Sequence, residues 1–293
     1  MIPSRDDDAI VGRVASRGTV AETRIETADD PRVAAYRDVG DPELLRGRGL
    51  FVAEGRLVVR RVIGHARFNV QSLLLNDAAR MALAPDLARL PPAVPIFVCA
   101  TKLFERVTSY DIHRGCLALV ERGRPSPVDE VIEDARLVVV LENVANADNI
   151  GGVFRNAAAF GADAVLLTPS SCDPLYRKAI RTSMAASLTV PTARLHDWPD
   201  ALSTLKNRGF TLVAMTPNEP AETLDTFARG PRPARIALLV GAEATGLSEA
   251  AMALAVRRVR IPIRPDVDSL NLAVAVGIAL SRLSTLTIAS DLA

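Results

Sequence analysis

Between residues 141 and 167 the sequence reads LENVANADNIGGVFRNAAAFGADAVLL, a helix-like segment between two strand-like runs. Five residues with chemical potential crowd the first joint: Asn143, Asn149, Gly151, Gly152 and Arg155. A connection of this kind needs a cap and one glycine. Here two carboxamides and a guanidinium add donors, and paired glycines let another backbone or a ligand approach the helix start. Such donors suit a phosphate or another polar ligand, since the guanidinium fork matches anionic oxygens. Taken alone, the same residues also fit a capped helix, with Asp148 or Asn149 as the cap and Arg155 on the surface.

Two more stretches carry polar residues where strands end. In GAEATGLS (241–248) a glycine closes an apolar strand, Glu243 lies just beyond it, and Ser248 is placed to cap the next helix. A turn plus a cap accounts for Gly246 and Ser248 but leaves Glu243 unexplained. In IPIRPDVDSLNLAVAVGIAL (261–280) Asp268 or Ser269 is placed to cap a helix whose first turn holds Asn271. The rest of that helix is apolar nearly all round, so it must be covered on most faces by a sheet or a partner chain.

The elements that position these loops follow from the apolar pattern. RLVVVLENV, DAVLLT, FTLVAMTP, IALLVGAE and VRIPI read as strands, with LTVPTARL as a weaker sixth. Helices are expected to begin near Asp148, Pro174, Asp197, Ser248 and Ser269. Continuous apolar strands mean a sheet covered on both faces, hence an α/β unit with a mostly parallel sheet. Ligands of such sheets gather beyond the carboxyl ends of the strands, where all three loops lie. Upstream, 30–49 reads as helix and LFVAEGRLVVRRVIG as a second, amphipathic helix. VQSLLLN, AVPIFVCA and GCLALVERG read as strands around a TKLFERVTSY helix. RGRPSPVDE (122–130) is the linker candidate. The expected organisation is a flexible extension over 1–24, a smaller α/β domain over 25–123 and the larger α/β domain over 124–293.

Bulk properties narrow the class. The net charge is only +1, so a polyanion-binding surface must come from local clustering. Three cysteines without C-x-x-C spacing argue against structural zinc and a disulfide framework, and fit a reducing cytoplasm. No metal site is expected. The first residues lack a secretory pattern, and the most apolar run, 270–280, is too short to span a bilayer.

Together the three loops resemble the SpoU/TrmH branch of the SPOUT RNA methyltransferases. The shared pattern is N-x5-N-x-G-x3-R-x-A, then G-x-E-x-x-G-L-S, then I-P-x6-S-L-N-x-A-x-A. It is carried here by Asn143, Asn149, Gly151, Arg155 and Ala157; by Gly241, Glu243, Gly246, Leu247 and Ser248; and by Ile261, Pro262, Ser269, Leu270, Asn271, Ala273 and Ala275. The stretch 51–121 is similar, more thinly, to the family's N-terminal RNA-binding domain. The resemblance implies a deep trefoil knot in the C-terminal domain, S-adenosylmethionine bound by the knot loops, and a homodimer in which two subunits complete the active sites. By position, Gly241, Ile261 and Leu270 would contact the cofactor, with Thr216 and Leu239 as further contacts.

The reaction so implied moves a methyl group to a ribose 2′-hydroxyl of RNA, ribosomal RNA being favoured over transfer RNA. A hydroxyl is a poor nucleophile at neutral pH, so its developing oxyanion must be stabilised or its proton removed. No histidine lies in the three motifs. Guanidinium groups keep their protons in proteins, so Arg155 is expected to clamp a phosphate and stabilise the oxyanion, with the proton leaving through a phosphate or water. Asn149 and Glu243 would orient Arg155 and the ribose, while Ser269 and Asn271 would fix the substrate edge. For RNA contact, Arg46, Arg48, Arg56, Arg60 and Arg61 supply clustered charge, and His113 and Arg114 form a polar turn. Two rivals are a non-catalytic RNA-binding protein of the same fold and a serine hydrolase. The first would lose motif residues that are present here, and the second needs a G-x-S-x-G elbow absent around Ser248 and Ser269.

Overall fold

The structure, a computed structural model, describes residues 22–37, 41–108, 115–218 and 220–284. Runs such as LVVVLE and IALLVG have no polar side chain before their last positions, and they form the middle of the larger sheet. In order, that half comprises α4 (Val128–Ile132), β6 (Leu137–Glu142), α5 (Ala147–Phe160), β7 (Ala164–Leu167), α6 (Arg177–Thr182) and β8 (Thr192–Arg194). It continues through α7 (Ala201–Asn207), β9 (Thr211–Met215), β10 (Glu222–Thr223), α8 (Leu224–Arg229), β11 (Ile236–Gly241), α9 (Glu249–Leu254), β12 (Arg257–Arg260) and α10 (Leu272–Leu283). The strands lie in the order β10-β12-β9-β11-β6-β7-β8, and every pairing is parallel.

Alternate residues of β6 feed two cores. Val139 and Leu141 join Val153, Phe154, Val276 and Leu280 from α5 and α10, whereas Val138 and Val140 join Leu202, Leu205 and Ala251 from α7 and α9. Both faces are covered, as continuous apolar strands require. Each of the six expected strands has a counterpart, although the one expected at VRIPI (259–263) runs over Arg257–Arg260 and ends before Pro262, and β10 adds a two-residue edge that its polar sequence concealed. The 261–271 segment and the 242–248 loop meet at one sheet edge, consistent with a knotted path.

The first half contains β1 (Glu22–Arg24), β2 (Leu50–Glu54), α1 (Arg56–Gly64), β3 (Val70–Asn76), α2 (Asp77–Leu87), β4 (Ile96–Cys99), α3 (Thr101–Thr108) and β5 (Cys116–Glu121). These strands form a mixed sheet in the order β1-β4-β3-β5-β2. Three expectations fail here. Residues 22–24, expected to close a flexible extension, form β1 and pair in parallel with β4, adding an edge to the sheet. Among the described residues the helix expected over 30–49 is reduced to a 3-10 turn (Pro31–Tyr36), which ends where the Arg37 backbone becomes extended, and a π-type turn (Glu43–Gly47) entered at Pro42. The helix expected over 50–64 splits into β2 and α1 at Gly55, whose φ of 92° no helix accommodates. One apolar cluster joins the halves: Phe51, Val59, Leu75 and Val120 pack with Leu175, Ile180, Ala185 and Leu188.

Candidate active site at the carboxyl edge of the larger sheet

The three loops converge beyond β6, β11 and β12. Asn146, not Asp148 or Asn149, caps α5 by accepting from the Asp148 N–H at 2.8 Å. Asn149 is thereby released from capping and is only 3% exposed. Its Oδ1 accepts from Asn271 Nδ2 at 2.9 Å, and the same Nδ2 donates to Glu243 Oε1 at 3.2 Å. Asn271 is also the cap of α10, accepting from the Val274 N–H at 3.2 Å. The cap expected at Asp268 or Ser269 therefore falls two to three residues later, because only there does a capping carboxamide also reach Asn149 and Glu243. Ser248 caps α9 as its type and position imply.

Beside this junction opens a pocket of about 390 Å³, within the size range of small-molecule sites. Thr216, Gly241, Ile261 and Leu270 line it together with Glu243 and Ser269. Its wall is largely loop backbone and apolar side chains, including Met252, Leu272 and Ala275. Gly241 shows how tight the loop is: a β-carbon there would lie 2.0 Å from the Gly246 carbonyl carbon. Leu239 is the exception among the expected cofactor contacts. It is fully buried with Leu212 and Ala237 on the opposite face of β11 and does not line the pocket.

Nothing in the motif spacing pointed to Glu142, yet its carboxylate, 1% exposed, sits beneath the pocket loop. It pairs in register with Gly241, and its Oε2 accepts from the Ser248 N–H at 2.9 Å while Oε1 accepts from Trp198 Nε1 at 2.6 Å. The available signal was a glutamate ending an otherwise apolar strand. Asn143 sits next to it at φ 56°, a conformation asparagine tolerates better than most residues, with its N–H donating to Thr168 Oγ1 at 2.9 Å.

Arg155 is not drawn into the junction. It is exposed and makes no hydrogen bond or ion pair among the described residues. Gly151, one turn before it, packs so close to α6 that a β-carbon would lie 2.6 Å from the Ala179 carbonyl oxygen. Gly152 and Asn156 instead face α10, where Asn156 Nδ2 donates to the Ala273 carbonyl at 2.7 Å. Arg155 thus rises on the α6 side of α5.

Of the expected RNA-contacting arginines, all five described ones are exposed. Arg48 pairs with Glu43 at 3.7 Å and Arg60 with Asp86 at 2.9 Å, while Arg56 and Arg61 have no ion pair among the described residues. They do not share one helix: Arg46 lies in the π-type turn, Arg48 just after it, and only Arg56, Arg60 and Arg61 on α1. His113 and Arg114 lie outside the described residues. Among the described residues no cluster of potential metal ligands occurs, and no helix is long and apolar enough to cross a membrane.

Replacing Asn271 tests the junction. Asn271→Ala should cost about 2–4 kcal/mol, the sum of a lost helix cap and a buried acceptor left on Asn149. Asn271→Asp restores the cap but no donor, and sets a carboxylate against Glu243, so it should recover at most about 1 kcal/mol. Denaturant unfolding of the three proteins reads this directly. An Asn271→Ala protein within about 0.5 kcal/mol of the parent would mean that the bridge contributes nothing.

The sequence profile described as the SpoU rRNA Methylase family matches residues 136–281, which contain all three loops. A tRNA/rRNA methyltransferase of Mycobacterium tuberculosis is 42% identical over 255 residues, 86% of this chain and 88% of that protein. Among solved structures, an AdoMet-bound rRNA methyltransferase from Sinorhizobium meliloti superposes with a TM-score of 0.75 at 24% identity, over 89% of this chain and 97% of that one. A structure described as an RNA 2′-O ribose methyltransferase gives 0.69 at 24% identity, over 89% and 98%. With this profile match and this relative, the chain belongs to the SpoU/TrmH family of RNA methyltransferases.

Proposed function

We propose that this chain transfers a methyl group from S-adenosylmethionine to a ribose 2′-hydroxyl of RNA, with ribosomal RNA favoured over transfer RNA and the cytoplasm as its place of work. The observation that carries the reading is the hydrogen-bonded junction of Asn149, Asn271 and Glu243 at the mouth of a pocket walled by the other two motifs. The similar structure named as an rRNA methyltransferase supports the choice of RNA, and the one named as an RNA 2′-O ribose methyltransferase supports the choice of substrate atom.

The pocket fits the cofactor. Leu270, Ile261 and Leu272 offer an apolar slot for an aromatic base, the 241–247 backbone offers polar partners, and Glu243 places a carboxylate where a cationic ligand would lie. When bound there, S-adenosylmethionine supplies an electrophilic methyl on a sulfonium. The chain's own residues do the rest. Asn271 holds Glu243 and Asn149 at fixed positions, Ser269 marks the substrate edge of the pocket, and Glu142 anchors the loop through the Ser248 N–H. Arg155, without a hydrogen bond or ion pair among the described residues, is available to grip the phosphate next to the target ribose and to stabilise the oxyanion.

The proposed assembly is a homodimer through the C-terminal domain, with residues 25–123 as the RNA-binding domain. In the single chain Val274 and Ile278, one turn apart on α10, are 51% and 37% exposed, an uncovered apolar stripe that a second copy would bury. Sedimentation should give a dimer at micromolar concentration, and a monomer with full activity would contradict this assembly. The function itself is tested by incubating the full chain with S-adenosylmethionine labelled in its methyl group and total RNA from cells lacking the gene. Label should enter RNA, and its absence would contradict the reading.

A further inference from the structure

A second cavity, of about 740 Å³, lies where the two halves meet, and neither half would form it alone. The smaller sheet's half supplies Arg46, Arg67 and Arg122 to its wall, and the larger supplies Asp173, Arg194 and His196. Four guanidinium groups thus face one carboxylate, a local excess of three positive charges in a chain whose net charge is +1.

The charges are of two kinds. Asp173 Oδ2 forms an ion pair with Arg122 Nη2 at 3.0 Å and accepts from Arg194 Nη2 at 3.2 Å, so this carboxylate already holds two cations. Arg194 is held further by donating through Nη1 to the carbonyls of Thr168, Pro169 and Ser171 at 3.1–3.3 Å. Arg46 and Arg67, by contrast, have no ion pair and no side-chain hydrogen bond among the described residues. Partial desolvation and then the charge of Arg122 both press the pKa of Arg67 down, the signature of a cation in want of an anion.

The cleft and the active-site pocket open at the same carboxyl edge of the larger sheet. Arg194 ends β8 and Gly241 ends β11, three strand positions away through β6 and β7. At the usual spacing that is about 14 Å. A single strand running along this edge would meet both.

We infer that the cleft is a phosphodiester-binding channel for single-stranded RNA, with Arg46 and Arg67 as its phosphate ligands and the Asp173–Arg122–Arg194 cluster as its fixed wall. The inference rests on the RNA-methyltransferase reading for the identity of the polyanion, and it places the RNA between the halves rather than on the outer face of α1. Guanidinium forks suit phosphate oxygens, and contacts of this kind give affinity without base specificity.

The test is fluorescence anisotropy of the full chain with a labelled 12-residue oligouridylate over a range of salt. Arg46→Gln/Arg67→Gln should bind roughly tenfold more weakly at moderate salt, and the slope of log affinity against log salt should shrink by about 1.4, two single-strand phosphate contacts. Arg229→Gln/Arg232→Gln removes the same charge near the opposite, β10 edge of the sheet and should stay within about twofold of the parent. Unchanged thermal unfolding shows that the cleft pair remains folded, since among the described residues neither arginine has an ion pair or side-chain hydrogen bond to lose and Arg67 gives up only a cation–π contact with Phe68, 5.6 Å to the ring centroid.

Equal losses in both pairs, no loss in the cleft pair, or no binding by the parent would each overturn the inference. So would a labelled polyglutamate peptide that binds through the same two arginines while the RNA ignores them. Methyl transfer to RNA, measured in parallel, separates this inference from the reading beneath it. A parent that methylates RNA while the cleft pair binds as before refutes the cleft alone. A parent that binds through the cleft yet transfers no methyl refutes the enzyme alone.

Discussion

Leu270→Arg should abolish S-adenosylmethionine binding while leaving the fold intact. Leu270 lines the pocket and is half-buried in an irregular segment, so its replacement leaves no cavity in either core. The new guanidinium would occupy the apolar slot and set one cation against the sulfonium of another. At about 4 Å and an effective dielectric of about 20 the repulsion is about 4 kcal/mol, a loss of at least a hundredfold in affinity. Calorimetric titration should therefore show one site per chain in the parent and none in the variant. Thermal unfolding of the two without ligand should agree to within about 1 kcal/mol. Unchanged affinity in Leu270→Arg would move the cofactor out of this pocket.

Arg155→Ala should separate binding from turnover. The residue is exposed and makes no hydrogen bond or ion pair among the described residues, so its removal should alter neither unfolding nor cofactor affinity. Turnover should fall by about 10²–10³, the scale of losing one donor to a developing oxyanion. Arg155→Lys should rescue little, because lysine offers a point charge where a planar fork is needed. Lost cofactor affinity in a folded Arg155→Ala protein would assign the residue to the methyl-donor half of the site. Near-normal turnover would make it a surface arginine on a capped helix.

What could be read from the residues depended on how locally each feature is determined. The central strands of the larger sheet were legible because buried parallel strands are almost wholly apolar, as LVVVLE and IALLVG are, whereas the polar edge strand β10 was not. In the smaller sheet LFVAE and RLVVRRVIG run together as one amphipathic pattern, and only Gly55 between them, at positive φ, marks the break. The five helix starts expected in the larger half lie within about a turn of those observed, whereas α2, α4 and α8 were not legible, and at α5 and α10 neighbouring residues compete as caps. Tertiary contacts decide the choice at α10, where Asn271 wins because its amide also reaches Asn149, 122 positions away, and Glu243, 28 away. Those long-range bonds were beyond any local pattern, although each partner had already stood out as a polar residue at an apolar joint. Leu239 went the other way: it is next to the pocket-lining Val240 in sequence, but the alternation of a strand turns its side chain into the opposite core. The arginine cleft was hidden because Arg67, Arg122 and Arg194 come from three separate segments and meet only when the halves dock.

The central claim is that this junction presents a ribose hydroxyl to a methyl donor, and the position of the transferred methyl tests it most directly. RNA labelled by the full chain with S-adenosylmethionine carrying a tritiated methyl should be digested with alkali and, separately, to nucleosides. A methylated 2′-oxygen blocks alkaline cleavage at its own phosphodiester, so the label should appear in alkali-resistant dinucleotides and in a 2′-O-methylnucleoside. Label released in alkali-sensitive mononucleotides methylated on the base would contradict the account.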